Sequence, residues 1–478
     1  MRALHLCEKP RGTARGLHLH ERGVAYCREY SFHREIQYYG EEASLISKGR
    51  AKALEYRTVR IGVVGAGYVG LATAVGLSKK GHEIVCVERD EEKLRALSRR
   101  ESPAGEPGYP AEASEALDEG RLVFTGNYGD LRGCRAIFLT VGTPVSETGA
   151  PDLSALWSAG QEAGRTEPEA LLVVKSTAPP GTARRLSEMT GCRVASNPEF
   201  LREGYAIYDF MNPSRIVIGV DSPQDADLLL ELYRGFEVPK VITDTRTAEL
   251  SKYASNLFLA LKVSFANLIA DIARATGASG REALRVAGMD PRIGERYLAP
   301  GLGWGGSCLP KDLRAALWLA RELGVDPKLL EAAEEINASR IALVVGILRE
   351  RLGSLSDKEI AVLGLAFKPG TQDTRDSQAV KLVKALSEEG VRVRAYDPKA
   401  VVSGITQFSE ALAALSGAHA AVIATDWEEF AGLDPQEVRK AMRFPLIVDA
   451  RGCLPAEGFR AAGIEVIRLD EPASPVGV

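Results

Sequence analysis

Histidine is the first thing this chain of 478 residues lacks: it has six, and four of them (His5, His18, His20, His33) fall in the first 33 residues. A Ser-His-Asp or Cys-His enzyme needs an imidazole beside its nucleophile, and neither His82 nor His419 sits in such a motif. Acid–base work is therefore left to Lys, Glu, Asp and water. The seven cysteines show no CxxC and no Cys/His cluster, which argues against a zinc site or a disulfide framework and for a reducing cytoplasm. No basic excess points to nucleic acid at a net charge of −4, and no apolar run approaches a membrane span of ~20 residues. Asparagine and glutamine are scarce too, which suggests a thermophilic source. That scarcity makes Asn197, Asn256, Asn267 and Asn337 informative, since each falls in a segment of interest on other grounds.

What is present is the balance of a globular protein, 45% hydrophobic and 26% charged, long enough for two or three domains. Residues 1–57 are an Arg/His/Tyr-rich extension without a clear period or the apolar core of a signal peptide, and carry no assigned function. From Val59 strands and helices alternate: strands at Ile61–Val64, Glu83–Glu88, Ala136–Val141, Leu171–Lys175 and Arg215–Val220, with helices between, one of them Gly67–Lys80. That alternation predicts an α/β, doubly wound parallel sheet over 58–244. Between about 245 and 275, Ala248, Leu250, Tyr253, Leu257, Phe258, Leu261, Phe265 and Leu268 recur at helical spacing. They predict a long spine helix, apolar on more than one face, within a helical domain of 245–350 that forms a dimer contact. The α/β pattern returns at Ile360–Gly364, Val380–Glu389 and Val391–Tyr396, giving a second Rossmann-like domain over 351–478 without a GxGxxG.

Three constellations carry chemistry. Gly65-Ala66-Gly67-Tyr68-Val69-Gly70 follows a strand and opens a helix, and Glu88 closes the next strand about 20 residues on. Gly65 allows the tight turn, Gly67 brings backbone N–H groups to a pyrophosphate, and the acid suits a ribose, so NAD is expected over NADP; Arg89 next door tempers that choice. A flavin or S-adenosylmethionine site is the minority reading of the same turn. Second, Cys308 lies in the glycine-rich stretch 301–312, GLGWGGSCLPKD, with Lys311 and Asp312 close by. Small neighbours leave the thiol open and the cation lowers its pKa, so a covalent nucleophile is expected rather than an inert buried cysteine. Third, Lys252 and Asn256 are four apart on the spine helix and share a face; together they can hold a substrate oxygen and stabilise an alkoxide. Glu199 and Glu203 flank a proline-fixed turn in 197–204, NPEFLREG, where one carboxylate can activate water. The segments 175–182 (KSTAPPGT) and 367–377, with Phe367 and Lys368, follow strand ends, where open α/β sheets bind ligands.

In this order these segments resemble the UDP-glucose/GDP-mannose dehydrogenase family over residues 59 to 470: GAGYVG, Val141-Gly142-Thr143-Pro144, KSTAPPGT, NPEFLREG, Lys252 with Asn256, Arg292-Ile293-Gly294, GWGGSCLPKD and LGLAFKPGTQDTRDS. The cysteine in GGSC-x-x-KD marks the four-electron members. The resemblance implies Cys308 as nucleophile, with Lys252, Asn256 and Asp312 serving the alkoxide and water, and Thr177 and Glu199 positioning the hydrolytic water. It implies NAD contacts from Gly65, Gly67, Tyr68, Val69, Gly70, Glu88, Lys93, Thr143, Pro144, Ser176, Glu203, Lys311 and Arg375. Phe200, Leu201, Tyr297, Gly305, Phe367, Lys368 and Arg451 would hold the nucleotide sugar, and Arg292 would reach the substrate of the partner in a homodimer. No metal is expected. Trp304 stands where phenylalanine is common, Ala450-Arg451-Gly452 replaces Gly-Arg-Asn, and Glu106-Pro107-Gly108 sits in a shortened loop. The implied reaction is oxidation of UDP-glucose to UDP-glucuronate, which feeds polysaccharide synthesis, with GDP-mannose the runner-up substrate. GGSC in place of GGHC argues against an N-acetylmannosamine substrate. A two-electron hydroxyacid dehydrogenase and a non-catalytic sensor stay open as other classes.

Overall fold

The computed structural model describes residues 38–39, 57–103 and 105–472; apart from Tyr38–Tyr39 and Arg57, the expected N-terminal extension lies outside them. Strands β1 (Tyr38–Tyr39), β2 (Arg60–Val64), β3 (Glu83–Val87), β4 (Leu122–Thr125), β5 (Ala136–Leu139), β6 (Leu171–Val174), β7 (Val194–Ser196), β8 (Ile216–Gly219) and β9 (Lys240–Thr243) form one sheet in the order β1-β9-β8-β7-β6-β5-β2-β3-β4. From β4 to β7 every pair is parallel, and β2 and β5 lie side by side where the winding reverses. That crevice is where a doubly wound sheet binds its ligand. Side chains alternate across the sheet: Ile61, Val63, Phe138 and Val173 enter one apolar core, while Val64, Ile137, Leu139 and Val174 enter another. Burial of both faces explains why these strands read as continuous apolar runs.

Strands β10 (Glu359–Leu363), β11 (Arg392–Tyr396), β12 (Ala420–Ile423), β13 (Leu446–Asp449) and β14 (Glu465–Arg468) make a second, all-parallel sheet in the order β11-β10-β12-β13-β14. This is the other common doubly wound order, with its reversal between β10 and β12. The expected pair of Rossmann-like units is thus present, although the second is wound differently from the first.

The spine is a helix of 32 residues, Thr245–Thr276, started by Asp244, whose carboxylate accepts Thr247 N–H at 3.0 Å, and stopped by Gly277 at φ +78°. The helices Gly280–Gly288, Leu309–Glu322 and Lys328–Leu352 pack on it, so helix does not run unbroken to residue 350; the stretch 289–308 between them is not helical. By length and composition the spine could cross a membrane, contrary to the expectation that no run approaches a span. Only 39% of its apolar window is buried inside the protein. The apolar pattern is also inverted. Glu249, Lys252, Asn256, Ser264 and Asn267 are buried, whereas Leu250, Phe258, Phe265, Leu268 and Ile272 are exposed.

The buried asparagines brace the glycine-rich loop. Asn267 accepts Gly301 N–H at 2.8 Å, and Asn337 accepts Trp304 N–H at 2.8 Å while donating back to Trp304 O at 3.0 Å. Trp304 Nε1 donates to Ser264 at 3.0 Å. An Asn337→Ala variant leaves the buried Trp304 N–H without an acceptor, which costs about 1–3 kcal/mol. Calorimetry should show a lowered Tm with NAD binding retained; an unchanged Tm would mean the loop does not depend on this clamp.

Candidate active site

The glycine turn and Glu88 form one hydrogen-bonded unit. Gly65, at φ +99°, donates its N–H to Val87 O at 2.8 Å. Glu88 accepts Ala66 N–H at 2.9 Å with one carboxylate oxygen and Asp90 N–H at 3.0 Å with the other. A Cβ on Gly70 would fall 1.8 Å from Gly65 O, so the helix Tyr68–Lys79 sits too close over its strand for any side chain there. Above the turn opens a cleft of about 1180 Å³ lined by Gly65, Gly67, Tyr68, Val69, Glu88, Lys93, Thr143, Pro144, Ser176, Glu203, Lys311 and Arg375. Thus every residue expected at the cofactor lines it except Gly70, which lies beneath. A Cβ at Gly67 or Gly142 would meet nothing within 4 Å, leaving bare backbone at the N-terminus of the helix Tyr68–Lys79 and in the loop after β5. With Lys93, Lys311 and Arg375 on the same wall, these residues fit a dinucleotide.

Thr177, Glu199 and Cys308 line the cleft as well. Cys308 precedes the helix Leu309–Glu322, its carbonyl accepting Asp312 N–H at 2.9 Å, and its Sγ lies 3.2 Å from the Tyr68 hydroxyl. Behind it Lys252 Nζ pairs with Glu199 at 2.8 Å, both side chains 4% exposed. Asn256 Nδ2 donates to Asp312 Oδ2 at 2.6 Å, and Lys311 Nζ donates to Asp312 Oδ1 at 2.5 Å. Of the six side chains expected to be catalytic, Cys308, Lys252, Asn256, Asp312 and Glu199 therefore converge, and Thr177 lines the same cleft.

The electrostatics correct one expectation. The thiol is not held low by a neighbouring cation: its pKa is raised, first by burial and then by the negative charge of Glu199, while Lys252 and the Tyr68 hydrogen bond act in the opposite sense. The ammonium of Lys311, the sequence neighbour, is engaged by Asp312 instead. Burial pulls Lys252 down, but Glu199, Cys308 and Asp312 outweigh it and leave the lysine more basic than usual. At rest the site therefore holds a neutral thiol beside a firmly charged ammonium.

Cys308 lines the cleft, and the glycines around it let other segments close on the rest of the loop. A Cβ would strike Ala450 O at 2.5 Å from Gly301, Asn337 Oδ1 at 2.2 Å from Gly303, Asp376 O at 2.4 Å from Gly305, and the Phe367 ring at 2.6 Å from Gly306. Among the expected sugar-binding residues, Gly305, Phe367, Lys368 and Arg451 thus gather at this junction. Arg451 Nη1 donates to Gly303 O at 3.0 Å and its Nε to Ala424 O at 2.7 Å. Lys368 Nζ donates to Glu203 O at 2.5 Å. Leu201 N–H donates to Glu199 at 2.6 Å, and the Arg215 guanidinium lies 3.6 Å over the Phe200 ring. Tyr297 adopts a left-handed backbone at φ +66°. Arg292 is not brought in: its side chain is 87% exposed and folds back on Asp290 at 2.6 Å.

Sequence reasoning passed over Lys175 and Asp373. Lys175 Nζ is buried at the end of β6, donating to Asn197 Oδ1 at 2.9 Å, and burial lowers its pKa to about 8. Asn197 in turn donates to Val217 O at 2.8 Å, stitching the β7–β8 seam, where the only backbone pair is Ser196 with Gly219. The rarity of asparagine was the available signal. Glu203 receives Ser307 and Thr371 hydroxyls, each at 3.2 Å, and its pKa rises to about 7 through burial and then the Asp373 charge, with Arg375 opposing. Nothing in the spacing of residues 203 and 373 announces that contact.

Comparison with known proteins agrees with this geometry. The NAD binding domain of the UDP-glucose/GDP-mannose dehydrogenase family matches residues 59–237, its central domain 246–339 and its UDP binding domain 361–456. A UDP-glucose 6-dehydrogenase of Pseudomonas aeruginosa is 40% identical over 82% of this chain and 93% of its own. The UDP-glucose 6-dehydrogenase AglM of Haloferax volcanii is 40% identical over 82% of this chain and 96% of its own. Among solved structures, a UDP-glucose dehydrogenase from the hyperthermophilic archaeon Pyrobaculum islandicum superposes with a TM-score of 0.82 at 37% identity, covering 87% of this chain and 99% of that one. A turn, a cysteine loop and a third domain built in this way, and matched along this length, place the chain in the UDP-glucose/GDP-mannose dehydrogenase family, as an NAD-dependent nucleotide-sugar dehydrogenase.

Proposed function

We propose that this protein oxidises the C6 alcohol of UDP-glucose to the carboxylate in two steps, keeping the intermediate on Cys308. The observation that carries the reading is the convergence of five side chains: Glu199 and Cys308 line the cleft, and Lys252, Asn256 and Asp312 pack behind them. The third domain's match to a UDP binding domain, and relatives named for UDP-glucose, support the uridine nucleotide. In this reading residues 58–244 hold NAD, 245–350 form the central helical domain and 351–478 hold the nucleotide sugar.

NAD bound in the cleft would accept one hydride at each of the two steps, two molecules per sugar in succession. Lys252, kept charged by Glu199, stabilises the C6 alkoxide as hydride leaves, aided by the Asn256 amide that Asp312 orients. The Cys308 sulfur then forms a bond to the aldehyde carbon, and the thiol proton ends on the carbonyl oxygen, giving a thiohemiacetal. Loss of the second hydride from that carbon, with the hydroxyl proton passing to water, leaves a thioester. Glu199, with Thr177 beside it in the cleft, takes a proton from the water that displaces the sulfur. Covalent retention lets one site oxidise twice without releasing a reactive aldehyde.

Cys308→Ser should abolish net turnover with the fold intact, because a serine hydroxyl is not ionised near neutrality and is a much poorer nucleophile than a thiol. Absorbance of NADH against sugar consumed should give two per UDP-glucose for the wild type. Two NADH per sugar at a steady rate from the serine variant would overturn the covalent route, and one per sugar from the wild type would make it a two-electron enzyme.

The raised thiol pKa gives a pH test. Iodoacetamide alkylation of Cys308, followed by mass spectrometry of its peptide, should rise at higher pH than for an unperturbed thiol. Glu199→Gln removes the charge that disfavours thiolate, so the profile should move to lower pH in samples shown native by circular dichroism. A profile that stays put would detach Glu199 from the thiol.

Assembly follows from the exposed apolar face of the spine helix: two copies would cover it in an isologous dimer, with Arg292 reaching the neighbouring site. Arg292→Ala should then raise the KM for the sugar without changing NAD affinity. Mixing inactive Cys308→Ser with Arg292→Ala chains should restore a fraction of sites, since the cysteine-bearing subunit borrows an intact arginine. A fully active monomer by sedimentation, or no complementation after confirmed subunit exchange, would rule out the shared site.

A further inference from the structure

Arg89 follows Glu88 directly, and an arginine at the end of the second strand is the usual means of accepting the 2′-phosphate of NADP. In this structure Arg89 is turned away from that task. Glu88 and Lys93 line the cleft, whereas Arg89 does not. Its guanidinium lies over the Tyr128 ring, 5.2 Å from the centroid, and pairs with the carboxylate of Glu162. Tyr128 is buried in the short 3-10 turn Tyr128–Leu131, and Glu162 stands on the helix Ser154–Thr166, so both restraints come from elements fixed in the same apolar core. Glu88 meanwhile is locked toward the turn by the N–H groups of Ala66 and Asp90.

We propose that Glu162 is a cofactor-selectivity residue: with Tyr128 it holds the Arg89 side chain outside the cleft, so that the cofactor's 2′ position meets the Glu88 carboxylate and no arginine. This inference rests on the NAD reading and adds the residues that enforce it. Glu88 repels a 2′-phosphate, and the Glu162–Tyr128 cradle withholds the arginine that directly follows Glu88 in sequence. Two separated parts of the sequence thus act on one specificity.

The test is a cycle of Glu88→Ser and Glu162→Gln, singly and together, read by titrating the fluorescence of bound NADH and NADPH, which needs neither substrate nor turnover. Glu162→Gln alone should leave the NADH Kd within about twofold, because a half-exposed ion pair contributes little by itself. Glu88→Ser should improve NADPH binding, and adding Glu162→Gln should tighten NADPH by at least about a further threefold, since a freed guanidinium can make a charge-assisted contact to phosphate. Arg89→Ala placed in the double variant should cancel that last gain. If the double variant binds NADPH no better than Glu88→Ser, or if Arg89→Ala leaves the gain in place, the inference is wrong while the NAD reading stands. A wild type that binds NADPH as tightly as NADH overturns both.

Discussion

The buried ion pair of Lys252 and Glu199 is the constraint on which the site depends. Its partners come from the spine helix and from the turn after β7, and both are 4% exposed. Taking two charges out of water costs several kcal/mol per ion, and removing one partner alone costs about 3–5 kcal/mol. An apolar pair of the same volume would stabilise the fold at least as well. What the ions add is an electric field at Cys308. Glu199 disfavours the thiolate and Lys252 favours it, so the sulfur stays neutral until the balance changes. A substrate oxygen developing negative charge beside Lys252 would find that cation already placed and desolvated, with no reorganisation needed.

The glycine-rich loop shows how the same segment serves packing and chemistry. Gly301, Gly303, Gly305 and Gly306 each meet a different neighbour: the backbone after β13, an asparagine of the helix Lys328–Leu352, the backbone at Asp376 and the ring of Phe367. Side chains at these positions would separate the central helices from the second sheet. Cys308 is therefore presented at a junction fixed from three directions. Arg451 fits the same logic, since its donors hold the backbone of Gly303 and Ala424. At Gly452, φ is +65° and a Cβ would lie 2.0 Å from the Arg281 guanidinium. That explains why the residue after Arg451 has no side chain here.

Local features were legible in the sequence. The run from β2 through the glycine turn to Glu88 is contiguous, and its parts are in hydrogen-bonding register as the spacing implied. The spine helix is long and periodic, and its limits at 245 and 276 follow from Asp244 and Gly277. Strands β4, β7, β9, β12, β13 and β14, of three or four residues each, were not anticipated, although β5, β6 and β8, at four residues, were. The direction of the Cys308 shift was misread. Lys311 is near the thiol in sequence, but the shift comes first from burial and then from Glu199, opposed by Lys252, with Asp312 raising it further; burial, Glu199 and Lys252 act only after folding. Glu203 beside Asp373, and Lys175 beside Asn197, are contacts of the same kind.

The inverted spine helix joins these observations. Its inward face carries Glu249, Lys252, Asn256, Ser264 and Asn267, which hold the helix Thr182–Thr190, Glu199, Asp312, Trp304 and Gly301 in turn. A single rigid rod thus aligns the NAD-side sheet, the helix behind Cys308 and the glycine loop, at 1.5 Å rise per residue. Apolar side chains interleave with these positions on the other face: Leu250 lies two residues before Lys252, and Phe258 two after Asn256. The exposed apolar face is thus carried by the same stretch of backbone as Lys252 and Asn256. A helix with its polar residues turned inward holds them by pairing, and pairing fixes direction as well as depth, which apolar packing alone does not.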